Sequence, residues 1–229
     1  MKGGGNVNEK QIIGEKAVDF VEDNMVVGLG TGSTVFYTIR KLGQLVKQGL
    51  HITGIPTSIQ TEELATKFGI PISKFEDVEQ IDIAIDGADE VSSELDLLKG
   101  GGGALLREKI VAREAKTFIV VADSSKLVQK LGSFLLPVEV IPFGVGVTKK
   151  NIYRLGGNVN LRESKGKPFK TDNGNYILDC SFSDILSPKV LERELNMIPG
   201  VVENGLFVEM ADTVITVDQE NNVVIKKRI

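Results

Sequence analysis

From residue 25 to residue 122 the chain alternates short apolar runs with amphipathic stretches of helical period, and that alternation limits the folds open to it. Met25 to Leu29, Ile52 to Ile55, Ile81 to Ile85 and Phe118 to Ala122 read as strands. Between them, Val35 to Gln48, Thr61 to Phe68 and Gly103 to Ala115 read as helices, and a further helix near Glu9, capped by Asn8, precedes the first strand. Strands that are apolar on both faces and separated by helices demand a mainly parallel sheet covered on both sides. The expected fold is therefore α/β and Rossmann-like.

The pattern changes after about Leu131. Strand-like segments at Val138 to Ile141, Val159 to Leu161, Tyr176 to Ser181 and Leu206 to Met210 are interrupted by helical candidates at Thr148 to Leu155 and Pro188 to Met197. This predicts a second, smaller α+β lobe. Strands at Thr213 to Val217 and Val223 to Ile225 return to the first lobe. The expected division is 1–132 plus 211–229 for the α/β catalytic domain and 133–210 for the small domain.

Composition removes several classes of function. The net charge of -4 gives no global reason to bind nucleic acid or an anionic membrane. One cysteine, Cys180, excludes an internal disulfide framework, and one histidine, His51, argues against a histidine-rich metal site. No run approaches a membrane span, and the first residues lack the apolar stretch of a signal peptide, so a cytoplasmic protein is expected.

Three glycine-containing segments stand out: two fall at turns that follow strands, and the third opens a helix. Gly28-Leu29-Gly30-Thr31-Gly32-Ser33-Thr34 joins a strand to a helix, where free amides and the helix dipole favour an anion and the Thr31, Ser33 and Thr34 hydroxyls add donors. The dinucleotide pattern fails there, because Ser33 or Val35 stands where its last glycine belongs, and a Walker loop fails for want of Gly-Lys-Ser/Thr. The bland reading is a plain turn with a Ser/Thr cap.

Asp86-Gly87-Ala88-Asp89-Glu90 follows an apolar strand, at the sheet edge where open α/β sheets hold ligands. It reads as carboxylates that hydrogen-bond sugar hydroxyls and move protons. A solvated acidic turn and a Mg²⁺ site built from Asp86, Asp89 and Glu90 are the alternatives.

Lys99-Gly100-Gly101-Gly102-Gly103 then opens a helix carrying Glu108. Four consecutive glycines lose much entropy on ordering, so the backbone there must bend sharply or lie against something. Proton abstraction beside a carbonyl needs a base near the carbon and donors for the developing oxyanion. Glu108 suits the first role, and Lys99 with the glycine amides suits the second; alone, Glu108 would pass for a surface residue paired with Lys109 or Arg107. Lys126, after Asp123-Ser124-Ser125, and Lys10, near the start of the first helix, are lysines that reach toward a phosphate or simply face solvent.

Taken together, Gly30 to Thr34, Asp86 to Glu90, Lys99 to Glu108 and Asp123 to Lys126 resemble, in order and spacing, the signature segments of A-type ribose-5-phosphate isomerases. Pro137-Val138-Glu139-Val140, Gly156-Gly157 and Pro199 to Phe207 resemble the family as well. The resemblance implies a metal-free and cofactor-free aldose-ketose isomerase that interconverts D-ribose 5-phosphate and D-ribulose 5-phosphate through an enediolate, in the non-oxidative pentose phosphate pathway. It implies Glu108, Asp86, Asp89 and Lys99 as catalytic residues. Thr31, Gly32, Ser33, Thr34, Gly87, Ala88, Gly100, Gly101, Gly102, Lys126 and Lys10 would bind the sugar phosphate.

A homodimer with a ferredoxin-like small domain is the implied assembly. Two other classes compete: a sugar-phosphate sensor without chemistry, against which Lys99 and Glu108 argue, and an acyl-CoA transferase-like enzyme with a glutamate nucleophile.

Overall fold

A computed structural model describes residues 6–182 and 185–228. The N-terminal glycines at positions 3–5 lie outside the described residues. The chain forms two compact units: Met1–Ala88, Arg107–Leu127 and Met210–Ile229 make the larger, and Asp89–Leu106 with Val128–Glu209 make the smaller.

The larger unit is built on a six-stranded sheet. Its order is Ile52–Pro56, Met25–Leu29, Ile81–Gly87, Ala115–Val121, Thr213–Val217 and Val223–Lys227. All neighbours pair in parallel except the last strand, which returns as an antiparallel hairpin. Val27, Leu29, Ile83, Ile85, Ile119 and Val121 turn one face into a core with Val35, Ile39 and Leu42 of the helix Val35–Lys47. On the opposite face Gly28 lies against Val111 of the helix Leu105–Glu114, so closely that a Cβ at Gly28 would come within 2.5 Å of it. Side chains alternate across a strand, so both faces need a helical cover, and burying each large aliphatic stabilises by roughly 1.5–3 kcal/mol.

From Met25–Leu29 the chain crosses to one side through Ile52–Pro56 and then returns to the other side at Ile81–Gly87. The reversal makes a switch point, and the carboxyl ends of those two strands frame the crevice where such sheets bind ligands.

The smaller unit follows a β-α-β-β-α-β path. Strands Leu136–Val140, Asn158–Leu161, Tyr176–Ser181 and Val201–Asn204, with helices Val145–Arg154 and Pro188–Asn196, form an antiparallel sheet. The strand from 201 lies beside that from 136, then come those from 176 and 158, which is the ferredoxin-like arrangement. Leu136, Val138, Val140, Ile152, Leu178 and Leu195 fill its core.

The expected division of the chain differs from this grouping at two segments. Residues 89–106 and 128–132 group with the smaller unit, because the short strands Glu90–Val91 and Leu97–Leu98 pair with each other and with Leu206–Phe207. Strands of two residues carry no readable alternation, which is why that hairpin was invisible. Val201–Asn204 was missed for a related reason, since Gly200 and Gly205 bracket it with turn residues. The first helix, Asn6–Lys16, begins before Asn8, which therefore lies inside the helix and does not cap it.

Candidate active site

The turn from Gly30 to Thr34 leaves the first strand at the switch point. Gly30 N donates to Ile85 O at 3.0 Å, and Thr31 N donates to Oδ1 of Asp86 at 3.0 Å. The same carboxylate oxygen accepts from Gly87 N at 2.7 Å. Asp86 is 2% exposed, so its placement is fixed by burial as well as by these amides.

The Thr31 hydroxyl sits among Thr57, Ser58 and Thr61, whose side-chain oxygens lie 2.8–3.0 Å from it. Thr61 Oγ1 in turn donates to Gly30 O at 2.8 Å, and Ser58 caps the helix Ile59–Phe68 through Thr61 N. Four hydroxyls thus brace the turn from behind, a network in which sequence reading had singled out only Thr31.

Ser33 is exposed and its Oγ accepts from Lys10 Nζ at 3.1 Å. Thr34 is buried and stands at the start of the helix Val35–Lys47 without a side-chain cap bond, leaving first-turn amides that have no carbonyl within the helix. A cavity of about 660 Å³ opens on Gly30, Thr31, Gly32 and Ser33 and continues between Phe36, Tyr37, Gln60 and Leu64.

Lys126 is half-buried in the turn that follows the strand Ala115–Val121. Asp123 starts that turn by accepting from Ser125 N and Oγ. Glu9, another residue missed in the sequence, accepts from Ser124 N at 3.1 Å and Ser124 Oγ at 2.9 Å. Lys10 and the Lys126 turn are consequently both anchored by the first helix.

Glu108 is 6% exposed, and the reading of it as a solvated surface residue does not hold. It precedes Val111 by three positions and so shares the helix face that packs on Gly28. The helix runs antiparallel to the strands, which puts Glu108 one turn nearer the edge that carries Gly30 and Asp86.

In the smaller unit, Asp89 and Lys99 stand at one end of the three-stranded sheet. Glu90 pairs with Leu98 in antiparallel register, so Asp89 and Lys99 follow as the next opposed positions. Asp89 N donates to Leu98 O, and Lys99 N donates to Gly205 O at 2.8 Å. Lys99 is 2% exposed, with Nζ 5.4 Å from the centroid of the Phe207 ring, a cation-π distance.

The glycine run has definite steric reasons. Gly100 has φ +100, a left-handed conformation that side chains disfavour, and a Cβ at Gly101 would lie 2.8 Å from Oδ1 of Asp89. Gly101 N donates to Oδ2 of Asp89 at 2.8 Å. Gly102 and Ala88 lie in the exposed and half-buried parts of these two turns.

Glu90 has a structural task. Its two oxygens accept from Gly132 N at 2.7 Å and Phe134 N at 2.6 Å. A cation site using Glu90 would have to break both bonds, and among the described residues no three histidine, cysteine, aspartate or glutamate side chains are grouped to hold a metal. Cys180 is buried, and loss of solvation followed by the Asp179 charge pushes its thiol up to about 12, which suits a core residue and not a nucleophile.

At its switch edge the larger unit has the layout of an α/β enzyme that takes an anionic ligand. The family model of ribose 5-phosphate isomerase A (phosphoriboisomerase A) matches residues 53–221. Over 205 residues the chain is 53% identical to the ribose-5-phosphate isomerase A of Bacillus mycoides (strain KBAB4), spanning 89% of this chain and 93% of that one.

Its structure superposes on the ribose 5-phosphate isomerase A of Methanocaldococcus jannaschii with a TM-score of 0.92 at 43% identity, covering 97% of this chain and 99% of that one. A D-ribose-5-phosphate isomerase solved in complex with phospho-erythronic acid also gives 0.92, at 45% identity, covering 96% and 97%. The chain belongs to the ribose 5-phosphate isomerase A family and is an isomerase. Among the described residues no helix is long and apolar enough to cross a membrane.

Proposed function

We propose that the chain interconverts D-ribose 5-phosphate and D-ribulose 5-phosphate by proton transfer through a 1,2-enediolate. The observation that carries this reading is the burial of Glu108 on the helix face directed to the edge where Asp86 and the Gly30–Thr34 turn stand. A carboxylate held at a ligand edge serves as a general base when it meets an acidic C–H.

In the open-chain aldose, Glu108 takes the proton from C2, and the electron pair moves to form the C1–C2 double bond while charge develops on the C1 oxygen. Lys99 and the amides of the glycine run stabilise that charge. The proton on the C2 oxygen passes to the C1 oxygen, Glu108 returns its proton to C1 as the C2 carbonyl forms, and the ketose results. Asp86 and Asp89 open the sugar ring and exchange protons at its oxygens. Gly32, Ser33, Thr34, Lys126 and Lys10 hold the phosphate, while Gly87, Ala88 and Gly100 to Gly102 line the sugar; Thr31 contributes to the turn that carries the phosphate. The steps use no metal and no cofactor.

The reaction belongs to the non-oxidative pentose phosphate pathway in the cytoplasm, and the working assembly is a homodimer. Exposed Phe143, Val147, Tyr153 and Met197 on the helical side of the smaller unit support self-association.

The deciding experiment is incubation with ribose 5-phosphate in deuterated water. Ribulose 5-phosphate carrying solvent deuterium on carbon is expected. A chain that binds the sugar phosphate but returns it unlabelled and unconverted would instead be a sensor, and transfer of an acyl-CoA would indicate the glutamate nucleophile of a transferase.

A further inference from the structure

The backbone of the glycine run is held from behind by a guanidinium. Arg162 Nη1 donates to Gly100 O at 3.0 Å and to Gly101 O at 3.1 Å. The rest of the fork is committed to Asp179, with Nε to Oδ2 at 2.9 Å and Nη2 to Oδ1 at 2.5 Å. Both side chains are largely buried, at 15% and 17% exposure, so the pair is shielded from solvent competition.

Its frame is equally fixed. Arg162 N donates to Ile177 O, Phe169 N donates to Arg162 O, and the guanidinium carbon lies 5.8 Å from the centroid of the Phe169 ring. That ring also fills the space a Cβ at Gly103 would need, at 2.6 Å.

A trans peptide points its C=O and its N–H in opposite directions. The peptide whose carbonyl is Gly100 O therefore directs Gly101 N–H away from Arg162, and that N–H is the donor to Asp89 Oδ2. By the same geometry the carbonyl of Gly101, held by Arg162, sends Gly102 N–H to the side opposite the guanidinium. A positive charge on the carbonyl side polarises each peptide and strengthens its N–H as a donor.

We infer that Arg162, locked by Asp179, is a positioning residue for the isomerisation: it sets the orientation of Asp89 through the Gly100–Gly101 peptide and presents the Gly102 amide to the developing oxyanion. The inference rests on the enediolate reading above. Arg162 touches neither the sugar nor its phosphate in this role, so its removal acts on turnover more than on binding.

The test compares wild type with Arg162→Ala, Arg162→Lys and Asp179→Asn. For Arg162→Ala the expectation is a kcat lowered by about 10-fold or more with KM within about threefold, and partial recovery of kcat in millimolar methylguanidinium. Arg162→Lys should fall between, because one ammonium cannot serve two carbonyls and a bidentate carboxylate together. If Arg162→Ala fails to fold, Asp179→Asn decides, with a several-fold loss of kcat expected from the released fork.

Amide exchange at Gly101, followed in the full-length chain with labelled glycine, should quicken in each variant as its bond to Asp89 loosens. Unchanged exchange with kcat within twofold of wild type would overturn the inference, as would a loss of kcat that follows the melting temperature and ignores methylguanidinium. A wild-type chain that shows a protected Gly101 amide, lost in the variants, yet converts no ribose 5-phosphate would instead sink the isomerase reading and leave the Arg162 clamp standing.

Discussion

A Cβ at Gly30 would lie 2.2 Å from Oδ1 of Asp86, the oxygen that already accepts hydrogen bonds from Thr31 N and Gly87 N. The glycine at the mouth of the Gly30–Thr34 turn is thus required by the carboxylate on the neighbouring strand. Turn and carboxylate form one unit, tied at the point where the strand order reverses.

Gly30→Ala tests that relationship. The added methyl must push Asp86 or the turn aside, so we expect kcat/KM to fall by about 10-fold or more and stability to drop by about 1–3 kcal/mol. A variant with wild-type kinetics and melting temperature would show that the turn absorbs the methyl without moving Asp86.

Glu108→Gln keeps the shape and removes the carboxylate proposed as the base. Turnover should fall by roughly 10²-fold or more while ribose 5-phosphate binding, read by calorimetry, changes little. Near-normal kcat would rule Glu108 out as the base.

Prolonged EDTA treatment followed by gel filtration should leave the isomerase rate unchanged. Both oxygens of Glu90 are engaged by backbone amides, which leaves the acidic turn poorly supplied to hold a cation. Activity lost to EDTA and restored by Mg²⁺ would reverse this conclusion.

Cys180 gives a pH dependence with a definite sign. Its thiol is pushed up to about 12 in the folded chain, against about 8.5 when unfolded. The unfolded state therefore loses its proton first as pH rises. The thiol's contribution is complete below about pH 8.5 and declines from there toward pH 12, by about 2 kcal/mol at pH 10. Urea unfolding of wild type and Cys180→Ala at pH 8 and pH 10 should show a smaller alkaline loss in the variant; parallel losses would count against the assignment.

Phe143→Asp combined with Met197→Glu places two charges on side chains that are 88% and 78% exposed. Sedimentation at micromolar concentration should show a dimeric wild type and a lighter species for the double variant, with an intact fold by circular dichroism. A dimer that survives both charges would place the interface elsewhere.

Much of the architecture was legible in the sequence because it is periodic. Met25–Leu29 and Tyr176–Ser181 were bounded correctly from apolar runs between turn residues, and the helices after Gly30 and Pro188 showed their period directly. The two-residue strands around Asp89 and Lys99 offered no period, so the sequence reading kept that segment with the larger domain, whereas its contacts group it with the smaller unit.

The sequence by itself determined the α/β class, the strand-end location of Asp86 and the turn chemistry of Gly30 to Thr34, since each depends on local pattern and backbone preference. Tertiary structure alone decided that Glu108 is buried and not solvated, that Glu90 ties two distant amides, that Thr31 joins Thr57, Ser58 and Thr61, and that Arg162 grips Gly100 and Gly101. Those contacts join residues 26 to 62 positions apart. Their energy comes from burial and directional hydrogen bonding once the sheets are assembled, and neither leaves a periodic trace along the chain.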